Sequence, residues 1–289
     1  KMIKKGIILA AGTGTRLSPL TNFTNKHFLN LYDKPVIFYS LSTLMLSNIR
    51  NILIVSNPND LSTLKDFFGD GRRFGINLTY SSQKANTGIP TAIKTGEDFI
   101  NNDPVCIILG DNFFYGAGLQ NRLIKFNNLT KGCRVILYPV NNPEDYGVAK
   151  LNSKKKISII KEKTKDKLSN LAITGLYFFD KNLLRFTKNL KKSKRNEFEI
   201  VDILKQYLKK KQLKYEFLGR GATWYDVGTT ELLYKASDFV DSIQSRSGYK
   251  VSCLEEIAYK KKWISKKILD ENIRLYKNND YSKYLKKIR

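Results

Sequence analysis

The chain has 289 residues, 42% of them apolar and 27% charged, an ordinary globular balance that can bury one large core or two modest ones. No run of 18 or more apolar residues occurs, so no membrane-spanning helix is expected, and the short glycine-rich apolar run at 6–12 does not read as a signal peptide. Lys and Arg number 51 against 26 Asp and Glu, a formal charge of +25, which raises the question of a polyanionic partner.

In chain order, residues 3–10 read as a buried strand that ends in a Gly/Thr loop. Residues 34–47 read as a helix with Pro35 in its first turn. A second buried strand follows at 51–56, a short helix at 61–68, and a glycine-rich turn at 69–71. Residues 78–81 form a strand and 90–99 a helix. The third buried strand, 105–109, ends at Gly110-Asp111-Asn112. A helix at 119–127 and a strand at 134–140 complete this half. Strands alternating with helices at this spacing predict a mostly parallel α/β sheet covered on both faces. Beyond residue 141 the pattern changes. Residues 148–151, 157–161 and 172–179 read as consecutive strands, 198–208 as a helix and 215–218 as a strand. Helices are expected at 231–245, 254–261, 265–272 and 282–287.

The charge is unevenly spread: residues 1–145 hold 16 basic and 10 acidic residues, whereas 146–289 hold 35 and 16. The lysine runs at 154–156, 209–211 and 260–262 are read as solvated turn tips and helix ends. No zinc finger, helix-turn-helix or aromatic RNA-binding pattern accompanies the charge. The three cysteines, Cys106, Cys133 and Cys253, are far apart and form no zinc or disulfide framework, which fits a reducing cytoplasm. His27 is the single histidine, which excludes most histidine-based catalysis.

The most informative stretch is Leu9-Ala10-Ala11-Gly12-Thr13-Gly14-Thr15-Arg16-Leu17. It follows a buried strand, and its small residues let backbone N–H groups approach an anion. It lacks the Gly-Lys-Ser/Thr of a Walker loop, and Leu17 stands where a dinucleotide fingerprint needs its third glycine. Instead it delivers Arg16, a fork suited to phosphate oxygens, and Lys26 follows ten residues on. Taken alone, the loop fits an anion cradle and a tight turn with exposed cations equally well.

The pattern Gly-x-Gly-Thr-Arg-Leu, then Lys26, then Tyr32-Asp33-Lys34-Pro35, resembles the sugar-1-phosphate nucleotidyltransferases. Further segments match in order: Leu109-Gly110-Asp111-Asn112, Asp145-Tyr146-Gly147-Val148, Glu162-Lys163, Thr174-Gly175-Leu176-Tyr177, Glu199-Ile200-Val201-Asp202 and Trp224-Tyr225-Asp226-Val227-Gly228-Thr229. The segment at 250–258 is similar to the helical tail of the glucose-1-phosphate thymidylyltransferase branch. The resemblance implies a Rossmann-like doubly wound mixed sheet with inserted sugar-binding strands and a C-terminal helical segment. Residues 1–229 would form the transferase core, with the nucleotide bound by about 1–140 and the sugar phosphate by about 141–229. Residues 230–289 would serve packing and oligomerisation.

The implied reaction is in-line attack of glucose-1-phosphate on the α-phosphorus of dTTP, giving dTDP-glucose and pyrophosphate as the first step toward dTDP-sugars. Such chemistry needs positioning and charge neutralisation rather than a protein nucleophile. By resemblance Arg16, Lys26 and Lys163 are the catalytic cations, and Arg195 joins Lys163 at the sugar phosphate. Gly12, Gly14, Thr15, Gln83 and Gly88 would hold the nucleotide, with the Gln83 amide reading the pyrimidine edge. Tyr146, Gly147, Glu162, Thr174 and Gly175 would meet the hexose, whose hydroxyls a carboxylate accepts well. Tyr177 is assigned to packing. Asp111 and Asp226, hard oxygen donors at strand ends, would bind Mg²⁺. The branch also implies a homotetramer with feedback inhibition by a dTDP-sugar, for which Phe113-Phe114-Tyr115-Gly116 and the tail around Trp263 offer apolar surface. The chain departs from the family pattern at Ala11, His27, Asn30, Thr164 and Val201, and most of all at Thr87-Gly88-Ile89-Pro90-Thr91-Ala92 beside the nucleoside. UTP, or another hexose phosphate, therefore stays open as an alternative substrate. A basic nucleic-acid-binding protein on a transferase fold is the alternative from a different class.

Overall fold

A computed structural model describes residues 2–83, 88–164, 166, 168–188, 190–193 and 198–289. The chain begins with strand β1 (Lys5–Ala10), three short 3-10 turns, and a small ribbon of β2 (Asn30–Leu31) and β3 (Lys34–Pro35). Then come α1 (Ile37–Leu46), β4 (Asn51–Ser56), α2 (Leu61–Phe68), β5 (Asn77–Ser82), α3 (Ile89–Thr95), α4 (Glu97–Ile100) and β6 (Val105–Leu109). Next are β7 (Asn112–Gly116), α5 (Leu119–Asn127), β8 (Cys133–Pro139), β9 (Gly147–Leu151), β10 (Ile157–Glu162) and β11 (Leu171–Phe179). The remainder holds α6 (Leu183–Thr187), α7 (Ile200–Lys209), β12 (Leu213–Phe217), β13 (Ala222–Asp226), α8 (Thr230–Ser247), α9 (Leu254–Lys260), α10 (Lys266–Leu275) and α11 (Asp280–Ile288).

Nine strands form one mixed sheet. Its first half, β5-β4-β1-β6, is entirely parallel. β11 then runs antiparallel to β6 and carries the β9–β10 hairpin and the β8–β12 pair. Alternating side chains of the parallel strands feed two cores. Ile8, Ile52, Ile54, Cys106 and Ile108 enter one; Ile7, Leu53, Val55, Val105 and Ile107 enter the other. Both faces of β1, β4 and β6 are therefore buried, as their near-continuous apolar runs require, while the edge strand β5 buries only Leu78. Each fully buried aliphatic side chain contributes roughly 1.5–3 kcal/mol, so a charge at Ile108 would break the sheet at its centre. Residues of the C-terminal helices, among them Ala236, Val240, Leu254, Ala258 and Leu285, join the first core.

Two helix expectations need correction. The helix expected over 34–47 begins only at Ile37, because Lys34 and Pro35 pair with Leu31 and Asn30 across a turn in which Tyr32 has φ 62°. Pro35 lies in that ribbon rather than in a first helical turn. The helix expected over 90–99 is broken at Gly96. A Cβ there would lie 2.9 Å from Leu53 Cδ2, so close packing on the sheet demands glycine where the helix could have continued. The lysines at 154–156 and 209–211 lie exposed at a turn and at the end of α7, as expected, whereas in the third run Lys261 is half-buried, donating to Asn48 Oδ1 and lying over the Trp263 ring.

Besides the β2–β3 ribbon and α6, a second ribbon has no counterpart in the expectations. β7 and β13 pair antiparallel, with Asn112 opposite Asp226 and Phe114 opposite Trp224. This ribbon carries the end of the segment at 222–226 back to the C-terminal edge of β6, where α/β sheets place their ligands.

Candidate active site

The loop after β1 turns on Gly14, whose φ of 68° leads into the 3-10 turn Thr15–Leu17. The Thr21 hydroxyl donates to Gly14 O at 2.9 Å, and Leu17 is fully buried. These two anchors leave Arg16 reaching across to the end of β13. A Cβ on Gly228 would stand 2.6 Å from Arg16 Nη2 and 3.3 Å from Asp226 Oδ1. The Lys26 stem lies over the glycines of the loop: a Cβ on Gly12 would be 3.1 Å from Lys26 Cε, and one on Gly14 would be 3.0 Å from Lys26 Cβ. Lys26 Nζ donates to Asp111 Oδ2.

Asp111 is buried directly after β6, and its Oδ1 accepts from Asn112 Nδ2 at 3.0 Å. Burial alone would raise its pKa, but the Lys26 ammonium and the donated hydrogen bonds hold the carboxyl below the usual range. Val227 N donates to Asp111 O at 3.0 Å, which ties the end of β13 to the end of β6. The second carboxyl, Asp226, is pushed up to about 6 by burial and by the negative charge of Asp111, against the pull of Lys26, Arg16 and Lys163. A buried and a half-buried carboxylate facing one field cannot both ionise cheaply without added positive charge.

His27 is buried behind this pair. Burial and the Lys26 charge push its imidazole down to about 3. Asn25 Oδ1 accepts from His27 Nδ1 at 2.6 Å and from the His27 backbone N–H at 3.0 Å. The ring is therefore neutral, with its proton on Nδ1.

Two cavities meet at these residues. The larger, about 470 Å³, is lined by Gly12, Gly14, Thr15, Lys26, Gln83 and Gly88. The smaller, about 240 Å³, is lined by Tyr146, Gly147, Glu162, Gly175, Trp224 and Asp226. Arg16, Asp111 and Lys163 line both. Gly88 also lines both, and a Cβ there would fall 2.3 Å from Phe198 O. In the smaller cavity the Tyr146 and Trp224 rings pack at 5.1 Å, and the Tyr146 hydroxyl is pushed up to about 12 by burial and the nearby Asp226. Lys163 has a left-handed backbone, φ 38°, and its N–H donates to Tyr146 O at 3.0 Å. A non-glycine residue held in that conformation marks a position the surroundings fix.

The structure thus brings together the residues of the phosphate loop, both strand-end aspartates, Lys163 and most of the residues expected at the hexose. Thr174 is fully buried and lines neither cavity, while its neighbours Ile173 and Gly175 do. Arg195 lies outside the described residues, as does Thr87. Tyr177, assigned to packing, is buried but lines the smaller cavity. Asp145, Phe198 and Trp224 line that cavity without having been singled out, although Asp145 and Trp224 stand inside the quoted motifs.

No cluster of three or more His, Cys, Asp or Glu side chains suited to a metal occurs among the described residues. The donor set at the junction is two carboxylates, Asp111 and Asp226. It suits a hard divalent cation that completes its shell with water and substrate phosphate oxygens. No described helix is long and apolar enough to cross a membrane.

A nucleotidyl transferase family model matches residues 5–243. A glucose-1-phosphate thymidylyltransferase of Neisseria meningitidis is 44% identical over 97% of this chain and 98% of its own length. One of Mycolicibacterium smegmatis is 42% identical over 97% of each chain. Among solved structures, a Bacillus anthracis protein assigned as a glucose-1-phosphate thymidylyltransferase, in complex with sucrose, superposes with a TM-score of 0.74. It shares 38% identity and is matched over 81% of this chain and 94% of its own. A UDP-glucose pyrophosphorylase complexed with UDP-glucose gives a TM-score of 0.72 at 28% identity, over 84% of this chain and 100% of its own.

Proposed function

The chain belongs to the nucleotidyl transferase family, and from that premise we propose that it transfers a thymidylyl group from dTTP to glucose-1-phosphate, giving dTDP-glucose and pyrophosphate. The observation that carries this reading is the meeting of a glycine-lined cavity and a polar sugar-sized cavity at Arg16, Asp111 and Lys163. A phosphate oxygen of the sugar phosphate, held in the smaller cavity, attacks the α-phosphorus held in the larger. The new P–O bond forms as the bond to the β-phosphate bridging oxygen breaks, and pyrophosphate leaves with that electron pair. No side chain takes part covalently.

The residues act by position and charge. Lys163 sits between the cavities and screens the two anions from each other as they approach. Arg16, spanning from the loop to Gly228, neutralises charge that grows on the departing pyrophosphate. Lys26 serves the α-phosphate from the opposite side. Such preorganised cations in a partly dry site are worth far more than in water. Asp111 and Asp226 would hold Mg²⁺, which supplies Lewis-acid neutralisation of phosphate charge when bound. Glu162 accepts hydroxyls of the hexose, and the Tyr146–Trp224 pair walls it. Arg195 remains proposed at the sugar phosphate.

Gln83 and Gly88 are proposed to read the base. Thymine and uracil present the same amide edge, so a side-chain amide alone does not separate dTTP from UTP. The second reading, UTP as donor, draws on the similarity to the UDP-glucose enzyme and the sequence departures at 87–92. Pyrophosphate release measured with glucose-1-phosphate across dTTP, UTP, ATP, CTP and GTP tests both. Release with dTTP dominant supports the first reading, release with UTP dominant supports the second, and no release with any donor removes the transferase.

The proposed division of labour assigns residues 1–140 to the nucleotide, 141–229 to the sugar phosphate, and the helical segment 230–289 to packing and assembly. A separate cavity of about 550 Å³ lies between the β7–α5 region and the tail, lined by Phe114, Tyr115, Leu119, Val251, Cys253 and Ile257. It joins Phe114-Tyr115-Gly116 to residues 250–261 of the tail, whereas Phe113, expected to offer apolar surface, is fully buried and Trp263 lies outside the lining. We assign it to feedback inhibition by a dTDP-sugar in a homotetramer; equal rates with and without that sugar refute the assignment. The three buried free cysteines fit a cytoplasmic location. A gel-shift assay at low salt is expected to show no nucleic-acid binding.

A further inference from the structure

Asn112 opens β7 and is almost completely buried. Its amide makes three hydrogen bonds to three different regions of the site. Nδ2 donates to Asp111 Oδ1 at 3.0 Å. Oδ1 accepts from Gly175 N at 3.0 Å and from Trp224 Nε1 at 2.6 Å. A carbonyl oxygen has two lone pairs, and both are used. Rotating the amide by half a turn would set its N–H groups against two N–H donors, so its orientation is fixed by its partners.

The surrounding chain is shaped to make these bonds. β11 pairs with β8 up to Ile173 and again from Tyr177, with a register shift between them. Gly175 falls in that gap, and its N–H goes to Asn112. A Cβ on Gly175 would stand 2.5 Å from Asn112 Oδ1, so the close approach requires glycine. On the other side, Asn112 is in register with Asp226 across the β7–β13 ribbon. One side chain therefore touches a proposed metal ligand, the backbone of the sugar cavity and the aromatic wall of that cavity.

We propose that Asn112 is a positioning residue that couples metal occupancy at Asp111 and Asp226 to the shape of the sugar cavity through Gly175 and Trp224. This rests on the transferase reading above. A cation that draws on Asp111 loads the Asn112 amide and sets Trp224 and Gly175 for the hexose. By linkage, a bound sugar phosphate tightens metal binding by the same factor.

The chain has two tryptophans, Trp224 and Trp263, so Trp263→Phe leaves Trp224 as the sole indole reporter. In that background Mg²⁺ alone, without substrates, is expected to shift Trp224 emission in a saturable way. Asn112→Ser is expected to abolish the shift and to raise both the half-saturating Mg²⁺ and KM for glucose-1-phosphate by about 10–100-fold. KM for dTTP should move by less than about threefold, the split that separates positioning from general damage. Trp224→Phe, which removes one donor and keeps a ring, should raise KM for glucose-1-phosphate and leave the half-saturating Mg²⁺ within about twofold. If Asn112→Ser does not fold, Asn112→Asp keeps the volume and both accepted bonds and removes the donor to Asp111; it should lose the Mg²⁺-dependent shift. A folded Asn112 variant with the parent's Mg²⁺ response and both parental KM values overturns the proposal. If the parent releases no pyrophosphate the transferase reading fails, while the Trp224 response still decides the coupling.

Discussion

His27 gives a sharp test of the site's electrostatics because it is the only histidine in the chain. It is buried, and its pKa is pushed down to about 3 by burial and by Lys26, with Asp111 pulling weakly the other way. In the unfolded chain the same imidazole takes up its proton near pH 6.5. The folded pKa lies below the unfolded one, so acid favours the unfolded state. Stability contributed by the neutral ring is complete above about pH 6.5 and is lost as pH falls toward 3, at about 1.4 kcal/mol per pH unit. Between pH 8 and pH 5 the loss from this residue is about 2 kcal/mol. The assay is denaturant unfolding of the parent and of His27→Gln in EDTA at both pH values. The stability difference between the two proteins should shift by that amount in favour of the variant on acidification, since the other titrating groups are common to both. The Cε1–H resonance of this one imidazole should also hold its neutral position down to about pH 4. A ring that titrates near 6.5, or two proteins with parallel pH profiles, would refute the burial argument.

The remaining predictions concern activity. Asp111→Asn and Asp226→Asn should each lower kcat by about 100-fold or more at saturating Mg²⁺, read by pyrophosphate release. Gly228→Ala places a Cβ against Arg16 Nη2, the mobile end of a side chain; turnover should fall about 10–100-fold through misplacement of the guanidinium, while the unfolding midpoint barely moves. Glu162→Gln removes a charged acceptor worth about 1.5–3 kcal/mol. It should lower kcat/KM for glucose-1-phosphate about 10–100-fold and spare KM for dTTP; an equal rise in both KM values would dissociate Glu162 from the hexose.

Much of this architecture could be read from the chain because burial on two faces leaves a plain mark. Runs such as Ile7-Ile8 and Ile107-Ile108 can only be strands that feed two cores, and the structure sends alternate members to opposite faces. The cations of the loop and the strand-end aspartates were legible for a related reason: they interrupt small-residue or apolar segments where nothing else needs charge. The β7–β13 ribbon was not legible, because each strand is five residues long and its partner lies over a hundred residues away. Pairing of that kind leaves no local period. The break at Gly96 was hidden as well, since its cause is Leu53 on a neighbouring strand. Asn112 looked like one polar residue after a strand; only the folded chain shows that its amide serves Asp111, Gly175 and Trp224 together.

The charge of the chain takes on a different meaning once the site is assembled. With 51 cations, number does not identify the ones that matter. The lysines of the turns at 154–156 and 209–211 are exposed, where water and salt screen them. Lys26 has a side chain only 16% exposed against a carboxylate only 8% exposed, and that carboxylate stands beside a second one whose pKa is pushed up to about 6. A buried acid and a half-buried one beside a single half-buried lysine are short of positive charge. Arg16 and Lys163 reach into the same space from two directions, and each weakens the burden on Asp226 without removing it. With Lys26, Arg16 and Lys163 against Asp111 and Asp226, the junction sets three cations beside two carboxylates, an excess that can receive phosphate. The arrangement therefore fits the ligand proposed above, a polyphosphate with its divalent cation, through the placement of these few groups rather than through the chain's total charge.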